Sequence, residues 1–482
     1  MIDTLVKANA QPNMSGWTNA RQIVHKSNGE LWCVYTRHDG THYQIYISYS
    51  TDDGATWTEE QISYGTDNQY DAALVVDSDD NLHVTWTGLG WGANPTKWQV
   101  QYRKRTAAGW QAQEAVTDDI VHCGIYGHAL GIDSNDNLHV VYSWYNGYHQ
   151  IAYRKRTSGG WQTQENVTNY NTYPTALTYP PSIGIDSGNN VHMAWSRQNK
   201  IRYKKRTSIW LAEEIVNEAI ADSKVQRHCC IAIDTSDDIH VVWQGTGWGD
   251  WLDSYNIQYR KKMAGVWQPQ EHVTNTDADK GYACISLEKT TGYLWVSYGG
   301  VVNGVGSWYR KRTSSWQAET YIANAIKIVS IWGMHPDAVN PNYPPLGCAF
   351  IYQLGTSDVR YRSDSLIWIP IVSTNAANNI TEVEATLNAV LTNDGGEACD
   401  CGFQWGETVA YGNTTPTQSK TTGEIFSQVI SSLTHGTLYH FRAFATNSGG
   451  TGYGNDMYFV TESQALLERS LVLQELLELL RR

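Results

Sequence analysis

The sequence predicts an all-β protein: a seven-bladed β-propeller, then a C-terminal β-sandwich and a short C-terminal amphipathic helix. An aromatic triplet recurs seven times at intervals of about fifty residues, as in repeat architectures. Short segments alternate apolar and polar residues between turns rich in Gly, Asn, Asp and Ser. Tryptophan (21) and tyrosine (30) are abundant, whereas phenylalanine (6) is scarce. These features are typical of a propeller built from short, half-buried strands.

Each triplet has an aromatic residue that ends one strand, a tyrosine in the next strand, and a tryptophan after it. The first series is Tyr35, Trp86, Tyr142, Trp195, Trp243, Tyr298 and Tyr352. The second is Tyr49, Tyr102, Tyr153, Tyr203, Tyr259, Tyr309 and Tyr361. The tryptophans are Trp57, Trp110, Trp161, Trp210, Trp267, Trp316 and Trp368. Four strands fit within each unit, which favours propeller blades over the shorter coils of a solenoid.

The two ends of residues 1–369 are expected to meet in the last blade. Pro370 cannot donate to a central ladder, so the outer strand there should be weak. Residues 4–7 resemble the outer-strand segments 114–117 and 166–168. We therefore expect the N-terminal segment to complete the seventh blade.

Composition narrows the function classes. A formal net charge of −13 argues against nucleic acid as the main partner. The chain has no run of about 18 apolar residues, so no membrane-spanning helix is predicted. Residues 1–4 show neither the basic nor the apolar part of a signal peptide. We expect an extracellular, surface-exposed or virion protein whose leader was removed or not needed, with an intracellular protein as the alternative.

The eight cysteines do not show the spacing of a metal site. Four fall at or near predicted innermost strands and two on second strands, where buried free thiols are common: Cys123, Cys229, Cys230 and Cys284, then Cys33 and Cys348. Cys399 and Cys401 are too close for a zinc or redox pair, and could be free or bridged elsewhere. We predict structural thiols, no bound metal and no cofactor.

The segment Ser50-Thr-Asp-Asp-Gly-Ala-Thr-Trp57 resembles the Asp-box, or BNR repeat, of sialidase-like propellers. The resemblance implies a hairpin between the third and fourth strands of a blade. Side-chain oxygens of Ser50 and Asp52 would accept main-chain N–H groups, Gly54 would take a positive φ, and Trp57 would pack between blades. The motif marks the fold rather than an activity.

Residues 370–461 resemble a fibronectin type III-like module. The similarity lies in Gly402-Phe-Gln-Trp-Gly406, in Ala410-Tyr-Gly-Asn-Thr414, and in 433–442 and 445–449. The Leu-x-x-Gly-x-x-Tyr pattern within 433–442 is similar to the tyrosine corner of such sandwiches. The resemblance implies a spacer or adhesive domain.

Residues 462–482 are predicted to form the amphipathic helix, because leucines recur at intervals of seven. A helix of about twenty residues is marginal alone and needs a partner. We predict a homo-oligomer whose contacts include Leu466, Leu473, Leu476 and Leu480. Packing of the helix on its own sandwich is the alternative.

The sialidase resemblance also implies candidate catalytic residues in the first blade. Arg21 occupies the strand position of that family's first carboxylate-binding arginine, and Arg37 and Asp39 follow the second strand. A sialidase grips its substrate carboxylate with three arginines and uses a Tyr–Glu nucleophile pair. Further candidates are Arg227, Arg360 and Tyr343. The family's Arg-Ile-Pro pattern is broken after Arg21, and seven repeats replace six.

Related seven-bladed propellers include polysaccharide lyases, which abstract a proton next to a uronate carboxylate. Candidate histidines near the starts of inner strands are His122, His128, His228 and His335. Another four histidines share one register on the second strands: His83, His139, His192 and His240. A residue repeated in blade after blade predicts packing rather than a single active site.

Two further repeats lie in turns. The Asp/Asn-rich turns after the first strands are expected to be ordinary Asx turns rather than calcium loops. The basic turns at 103–105, 154–156, 204–206 and 310–312 are expected to be a solvated rim, with a polyanion site as the alternative.

Aromatic residues crowd the loops that follow the second strands, at 88–92, 144–148 and 245–251. Exposed rings stack on sugars, and Asp side chains bind sugar hydroxyls. The predicted ligand-binding residues are Trp91, Trp144, Tyr145, Trp248, Asp250 and Trp251. We therefore predict a carbohydrate- or cell-surface-binding propeller acting as an adhesin, tail-fibre or surface-filament subunit, with a glycan or surface polysaccharide as partner. A glycan-degrading enzyme, either a sialidase-type hydrolase or a polysaccharide lyase, is the alternative.

Overall fold

A computed structural model gives the structure of the protein. It describes residues 2–8, 10–11, 22–52, 54–172, 180–287, 292–300, 306–323, 332–333, 349–354, 358–363, 370–395, 397–447, 450–463, 477 and 479–481. The chain divides into two compact units, Met1–Asp364 and Ser365–Arg482. Within these residues, no helix is long and apolar enough to cross a membrane.

The described residues of the first unit form seven antiparallel sheets, so the predicted seven-bladed propeller is confirmed. Blade 1 consists of Ala10–Gln11 with Ile23–His25, then Leu31–His38, Tyr43–Ser50 and Thr58–Gln61. Blade 2 consists of Gln69–Val76, Leu82–Gly88, Gln99–Thr106, and Gly109–Trp110 with Glu114–Ala115. Blade 3 consists of Cys123–Ile132, Leu138–Tyr145, His149–Thr157, and Gly160–Trp161 with Glu165–Asn166.

The remaining blades repeat this order from the inner to the outer strand. Blade 4 consists of Ser182–Ile185, Val191–Arg197, Lys200–Arg206 and Glu214–Ile215. Blade 5 consists of Gln226–Ile233, Ile239–Gly245, Asn256–Met263, and Val266–Trp267 with Glu271–His272. Blade 6 consists of Lys280–Leu287, Leu294–Gly300, Ser307–Arg312 and Thr320–Ala323. Blade 7 consists of Trp332–Gly333, Ala349–Leu354, Asp358–Ser363 and the N-terminal strand Ile2–Ala8.

The N-terminal strand closes the ring, as the sequence predicts. Ile2–Ala8 pairs antiparallel with Asp358–Ser363. Val6 and Val359 are buried together with Ile23 of blade 1 in one apolar cluster. The last blade is therefore completed by the first residues of the chain.

The aromatic triplets pack each blade against its neighbours. The second-strand aromatics are fully buried at Tyr35, Trp86, Tyr142, Trp195, Trp243 and Tyr298. In blades 2 to 5, the third-strand tyrosine meets the tryptophan of the next blade edge to face, with ring centroids 5.4–5.6 Å apart, whereas Tyr49 stacks on Trp32 of its own blade. These pairs are Tyr102–Trp161, Tyr153–Trp210, Tyr203–Trp267 and Tyr259–Trp316. The period of the sequence is thus the period of the inter-blade contact.

From blade 1 to blade 6, a carboxylate on the outer strand of one blade binds the basic segment of the next. Arg105 of blade 2 donates to both oxygens of Glu60 of blade 1, at 3.1 and 2.9 Å. The indole N–H of Trp110 donates to the same carboxylate at 2.8 Å. We call this arrangement the inter-blade clamp. Its charged pair recurs at Arg156–Glu114, Arg206–Glu165, Lys262–Glu214 and Arg312–Glu271, and an indole N–H joins the last two, from Trp267 and Trp316.

The other two residues of each basic turn are also bound. Arg103 Nη1 donates to the main-chain oxygen of Ile62 at 2.6 Å, across the blade boundary. Lys104 Nζ lies 3.0 Å from Asp77 Oδ2 of its own blade. Alternate residues of a strand point to opposite faces, so neighbouring cations reach different partners. The expected solvated rim is therefore wrong for these side chains.

The repeated histidines are structural, which confirms the prediction. His83 Nε2 lies 2.9 Å from Asp77 Oδ2, and His83 Nδ1 lies 2.7 Å from the Tyr102 hydroxyl. The same triad occurs at Asp133–His139–Tyr153, Asp186–His192–Tyr203 and Asp234–His240–Tyr259. Burial lowers the pKa of each histidine, despite the opposing carboxylate. Asp77 also caps the main-chain N–H of Asn81, as expected for an Asx turn.

The hairpin that resembles an Asp-box has the hydrogen bonds that the resemblance implies. Ser50 Oγ accepts the N–H of Gly54 at 2.8 Å, and Asp52 Oδ1 accepts the N–H of Thr56 at 2.8 Å. Gly54 has a φ of 87°. Trp57 packs against the cluster between blades 7 and 1.

The seven described cysteines, which include Cys399 and Cys401, are all buried, as expected of structural thiols. Cys348 lies outside the described residues.

The second unit contains two antiparallel sheets. One consists of Ile371–Asn378, Glu384–Asn393 and Ile425–Ser431. The other consists of Cys399–Gly406, Asn413–Thr414, Gln418–Lys420, Leu438–Asn447, Gly450–Tyr453 and Met457–Val460. The Tyr439 hydroxyl accepts the N–H of Thr434 at 3.0 Å, the bond expected of a tyrosine corner. Membership of the fibronectin type III class stays a prediction.

The predicted C-terminal helix falls mostly outside the described residues. Leu466, Leu473 and Leu476 are among the residues not described, whereas Leu477 and Leu479 are helical. Leu480 is 78% exposed. The helix and the oligomer that it would form therefore remain predictions.

The inter-blade clamp can be tested at Glu214, which accepts from Lys262 at 2.6 Å and from the Trp267 indole at 2.8 Å. The Lys262 side chain is only 9% exposed. Replacing Glu214 by Ala removes the acceptor of both donors, so the free energy of unfolding should fall by about 1–3 kcal/mol. Urea unfolding measures this. The matched control is Asp222→Ala, which breaks the exposed Lys200–Asp222 pair and should change little. Equal decreases in the free energy of unfolding for the two variants would contradict a stabilising role of the clamp.

The four triads predict a loss of stability on acidification. Each histidine has a lowered pKa in the folded protein, so the unfolded chain binds protons first as the pH falls below about 6.5. The free energy of unfolding is therefore highest above that pH and decreases progressively as the pH falls below it. Urea unfolding at about pH 7.5 and about pH 5 should show the decrease. His139→Gln should show a smaller decrease, and an unchanged one would contradict a role for the triads.

Candidate functional site

The loops after the second strands share one face of the propeller with the starts of the first strands. The pairing places Gln69 opposite Gly88, Gln226 opposite Gly245, and Cys123 opposite Trp144. This face is the ligand face that the sequence predicts, and we refer to it as the loop face. It contains most of the candidate residues.

The first strands of blades 2, 3, 5 and 6 are bulged where they reach the loop face. Three non-glycine residues in these bulges have positive φ: Asp71 (58°), His228 (54°) and Tyr282 (55°). Such backbone is unfavourable for residues with a side chain, and bulges redirect side chains next to functional sites. The loop face is therefore shaped by departures from regular pairing.

Arg197 is a buried cation at the loop face, between blades 3 and 4. Its side chain is among the largest fully buried ones, with the residue 1% exposed. Its guanidinium donates to the main-chain oxygens of His149 at 3.2 Å and Thr172 at 3.1 Å. It also lies 4.0 Å from the centroid of the Tyr170 ring. These contacts fix a positive charge in one place.

His149 stands beside this charge at the start of the third strand of blade 3. Burial, and then the positive charge of Arg197, lower the pKa of His149. Its ring is 5.0 Å from the ring of Tyr145, which is 40% exposed. A neutral imidazole is thus held next to a fixed cation and an exposed phenol.

Tyr170 supports the cation rather than facing a ligand. Its hydroxyl donates to Glu213 Oε2 at 2.9 Å and accepts from the Trp195 indole at 3.2 Å. Burial and the charge of Glu213 raise the pKa of Tyr170. The phenol therefore keeps its proton.

Arg197, His149 and Tyr170 are not among the site residues predicted from the sequence. A signal existed, because Arg197 breaks a repeat. The residue two positions after the second-strand tryptophan is Gly88 in blade 2 and Gly245 in blade 5, but arginine in blade 4. A residue that differs from its counterparts in the other blades is not explained by the packing that the blades share.

The candidate lyase histidines have different environments. His128 is buried between blades 2 and 3, with ring nitrogens 2.9 Å from Thr85 Oγ1 and 3.2 Å from Thr87 Oγ1. Burial lowers its pKa to about 4. His228 is also buried, and burial with the nearby Arg227 lowers its pKa to about 3. His122 accepts a main-chain N–H through Nδ1.

Arg227 lies at the loop face, with its guanidinium 4.7 Å from the centroid of the Tyr255 ring. Arg37 is held differently: it lies 3.1 Å from Glu59 and over the ring of Tyr46. Asp39 accepts two main-chain N–H groups of its own turn. The structure does not describe Arg21, Tyr343, His335 or the side chain of Arg360.

The predicted sugar-stacking residues divide into exposed and packed rings. Trp91 is 39% exposed and Trp251 is 46% exposed. Trp248 contacts the ring of His272, with centroids 6.2 Å apart. Trp144 packs against the apolar cluster between blades 2 and 3. Among the described residues, neither packed indole N–H has a hydrogen-bond partner.

Asp250 is held by Asn275, whose side-chain N–H donates to it at 2.8 Å. Within the described residues, no group of three or more His, Cys, Asp or Glu is arranged to hold a metal ion.

The comparisons with known proteins show only that the fold of this chain is similar to that of several solved structures. No family model and no curated protein matches the chain. An ulvan lyase of polysaccharide lyase family PL25 has a TM-score of 0.54 at 8% identity, over 75% of this chain and 96% of that one. An α-L-arabinanase from Penicillium chrysogenum has a TM-score of 0.43 at 10% identity, over 67% and 99%. The NanB sialidase from Streptococcus pneumoniae has a TM-score of 0.42 at 9% identity, over 61% and 67%.

The two tryptophans of the blade 5 loop should respond differently to truncation. Trp248→Ala removes a ring packed on His272 and should lower the free energy of unfolding by about 2 kcal/mol. Trp251→Ala removes a largely exposed ring and serves as the matched control, with little expected change. Thermal and urea unfolding of both variants measure this. Equal destabilisation would show that Trp251 is also a packing residue.

Proposed function

We propose that the protein binds an acidic polysaccharide on the loop face and cleaves it as a lyase. The observation that carries the proposal is the placement of His149 near the fixed charge of Arg197 and against the exposed ring of Tyr145. A uronate lyase needs a cation to neutralise the substrate carboxylate and a base to remove the neighbouring proton. This part of the loop face provides both groups.

The chemistry can be written with these residues. The positive charge of buried Arg197 attracts the uronate carboxylate through its field, and partial neutralisation of that carboxylate makes the neighbouring C–H bond more acidic. Neutral His149 takes that proton, the electron pair forms a C=C bond, and the bond from the adjacent ring carbon to the leaving sugar oxygen breaks. The imidazolium then returns the proton to that oxygen. The ring of Tyr145 is placed to stack on the neighbouring sugar.

The enzymatic alternative is preferred to the non-catalytic adhesin for two reasons. The neutral histidine beside a buried arginine is not required for binding alone. The ulvan lyase of similar fold is named for cleaving a polysaccharide and was solved bound to a glucuronate-containing segment. The likeness itself concerns the fold, so it supports the proposal without carrying it.

The adhesin remains the second candidate, since Trp91 and Trp251 are exposed on loops outside the Arg197 region. Under either function, we propose that the propeller acts outside the cell or on a surface. We propose residues 1–369 as the glycan-active propeller, 370–461 as a spacer and 462–482 as an assembly segment.

The test is turnover of ulvan, polygalacturonate and alginate, followed by the ultraviolet absorbance of the unsaturated uronate product. The unmodified protein should cleave at least one polymer. His149→Ala should lower the rate by about 100-fold or more, because the base is lost. Arg197→Lys should also lower it, with folding checked by thermal unfolding. The control His435→Ala changes a histidine of the second unit. No turnover of any polymer, or full activity of His149→Ala, would leave the adhesin as the better candidate.

The pH dependence follows from the pKa of His149. The base must be neutral, so activity should be constant above that pKa and fall as the pH drops through it. Because burial and Arg197 lower the pKa, the fall should occur below about pH 6.5. A pH–rate profile of kcat/KM measures it, and loss of activity already above neutral pH would contradict the assignment.

A further inference from the structure

A continuous row of aromatic rings crosses blades 1 and 2 at the loop face. His38 and Tyr43 have ring centroids 4.9 Å apart, Tyr43 and Tyr70 are 5.6 Å apart, and Tyr70 and Trp98 are 5.6 Å apart. His38 is exposed and the other three rings are partly exposed. We call these four residues the aromatic row. The row forms a surface of ring faces and edges along which a chain-like ligand could lie.

The row is held in place by hydrogen bonds from adjoining blades. Asn68 Oδ1 accepts the main-chain N–H of Tyr43 at 3.0 Å, which joins blade 1 to the connection that leads into blade 2. His122 Nδ1 accepts the main-chain N–H of Trp98 at 3.1 Å, from the connection that leads into blade 3. Rings that are fixed before binding lose little freedom when a ligand stacks on them.

His122 therefore has a positioning role rather than a catalytic one. A ring nitrogen that accepts a main-chain N–H must be unprotonated, so Nε2 carries the ring proton. Burial, and then the charge of Lys97, lower the pKa of His122 and keep this acceptor available. The hydrogen bond sets the start of the third strand of blade 2, where Trp98 lies.

The charges around the row indicate what it binds. Burial, then Tyr43, Asp67 and Asp71, raise the pKa of Tyr70, which places the carboxylates of Asp67 and Asp71 near this ring. Asp39 is exposed in the turn between His38 and Tyr43. Carboxylates repel anionic sugars and accept hydrogen bonds from sugar hydroxyls, and aromatic rings stack on the apolar faces of pyranoses.

We propose that the aromatic row binds neutral pyranose residues of a polysaccharide chain. The inference deepens the proposed function, since it assigns neutral sugars to blades 1 and 2 and the uronate to Arg197 between blades 3 and 4. A polymer with both kinds of sugar would use both parts of the loop face.

The experiment measures binding without turnover. Affinity electrophoresis and calorimetry use three soluble neutral polysaccharides: xyloglucan, dextran and laminarin. The unmodified protein should bind at least one of them. Tyr70→Ala and Trp98→Ala should each weaken that binding about tenfold or more. The matched control is Tyr458→Ala, which removes a tyrosine that is 69% exposed in the second unit. Failure of the unmodified protein to bind any of the three, or unchanged binding by both variants, overturns the inference.

Two further variants separate the roles. His122→Ala should weaken neutral-polysaccharide binding, and His122→Asn should restore it in part, because the Asn side-chain oxygen can accept the N–H of Trp98. His149→Ala should bind the neutral polysaccharide normally while losing turnover of acidic polymers. Loss of turnover without loss of this binding thus concerns the proposed function alone, and no restoration by Asn would refute the role of His122.

Discussion

The inter-blade clamp is the interaction on which the propeller depends. The described blades are separate sheets, so contacts of side chains are needed to fix the position of one sheet on the next. The clamp does this with a charge-assisted pair and, at Trp110, Trp267 and Trp316, with an indole N–H on the same carboxylate. The edge-to-face Tyr–Trp contacts add apolar burial beside it. One blade thus provides the acceptor and the next blade provides the donors.

This arrangement leaves the loop face free to vary. The cations, carboxylates and histidines of the repeat are used on the blade sides and at the turns of the opposite face. The loop face instead has bulges, unequal loops and single residues such as Arg197 and Tyr70. The rigid set of blades holds these residues at fixed positions, which suits a site that must place a charge and a base together.

Much of the fold could be predicted from the sequence, because the contacts that define a blade recur in every blade. The triplets gave the number of blades, and the resemblance of residues 4–7 to outer strands gave the closure. The partners of Arg105 and its equivalents could not be predicted, since the register between separate sheets leaves no local pattern. His149 and Arg197 were missed for the opposite reason: neither belongs to a pattern that most blades share. The repeat pattern therefore indicates the histidines that pack, and it does not indicate the one beside a buried cation.

The closure by Ile2–Ala8 links the order of synthesis to the order of folding. The strand that this segment pairs with, Asp358–Ser363, is made last in the propeller, so the first residues must wait for nearly the whole unit. Contacts between such distant parts of a chain are slow to form. The strands of blades 1 to 6 can pair within each blade as they emerge from the ribosome. The ring closes only when Ile2–Ala8 pairs with Asp358–Ser363. Until then, blade 7 exposes an unpaired strand edge, which is the part of the folding protein most open to association with another chain.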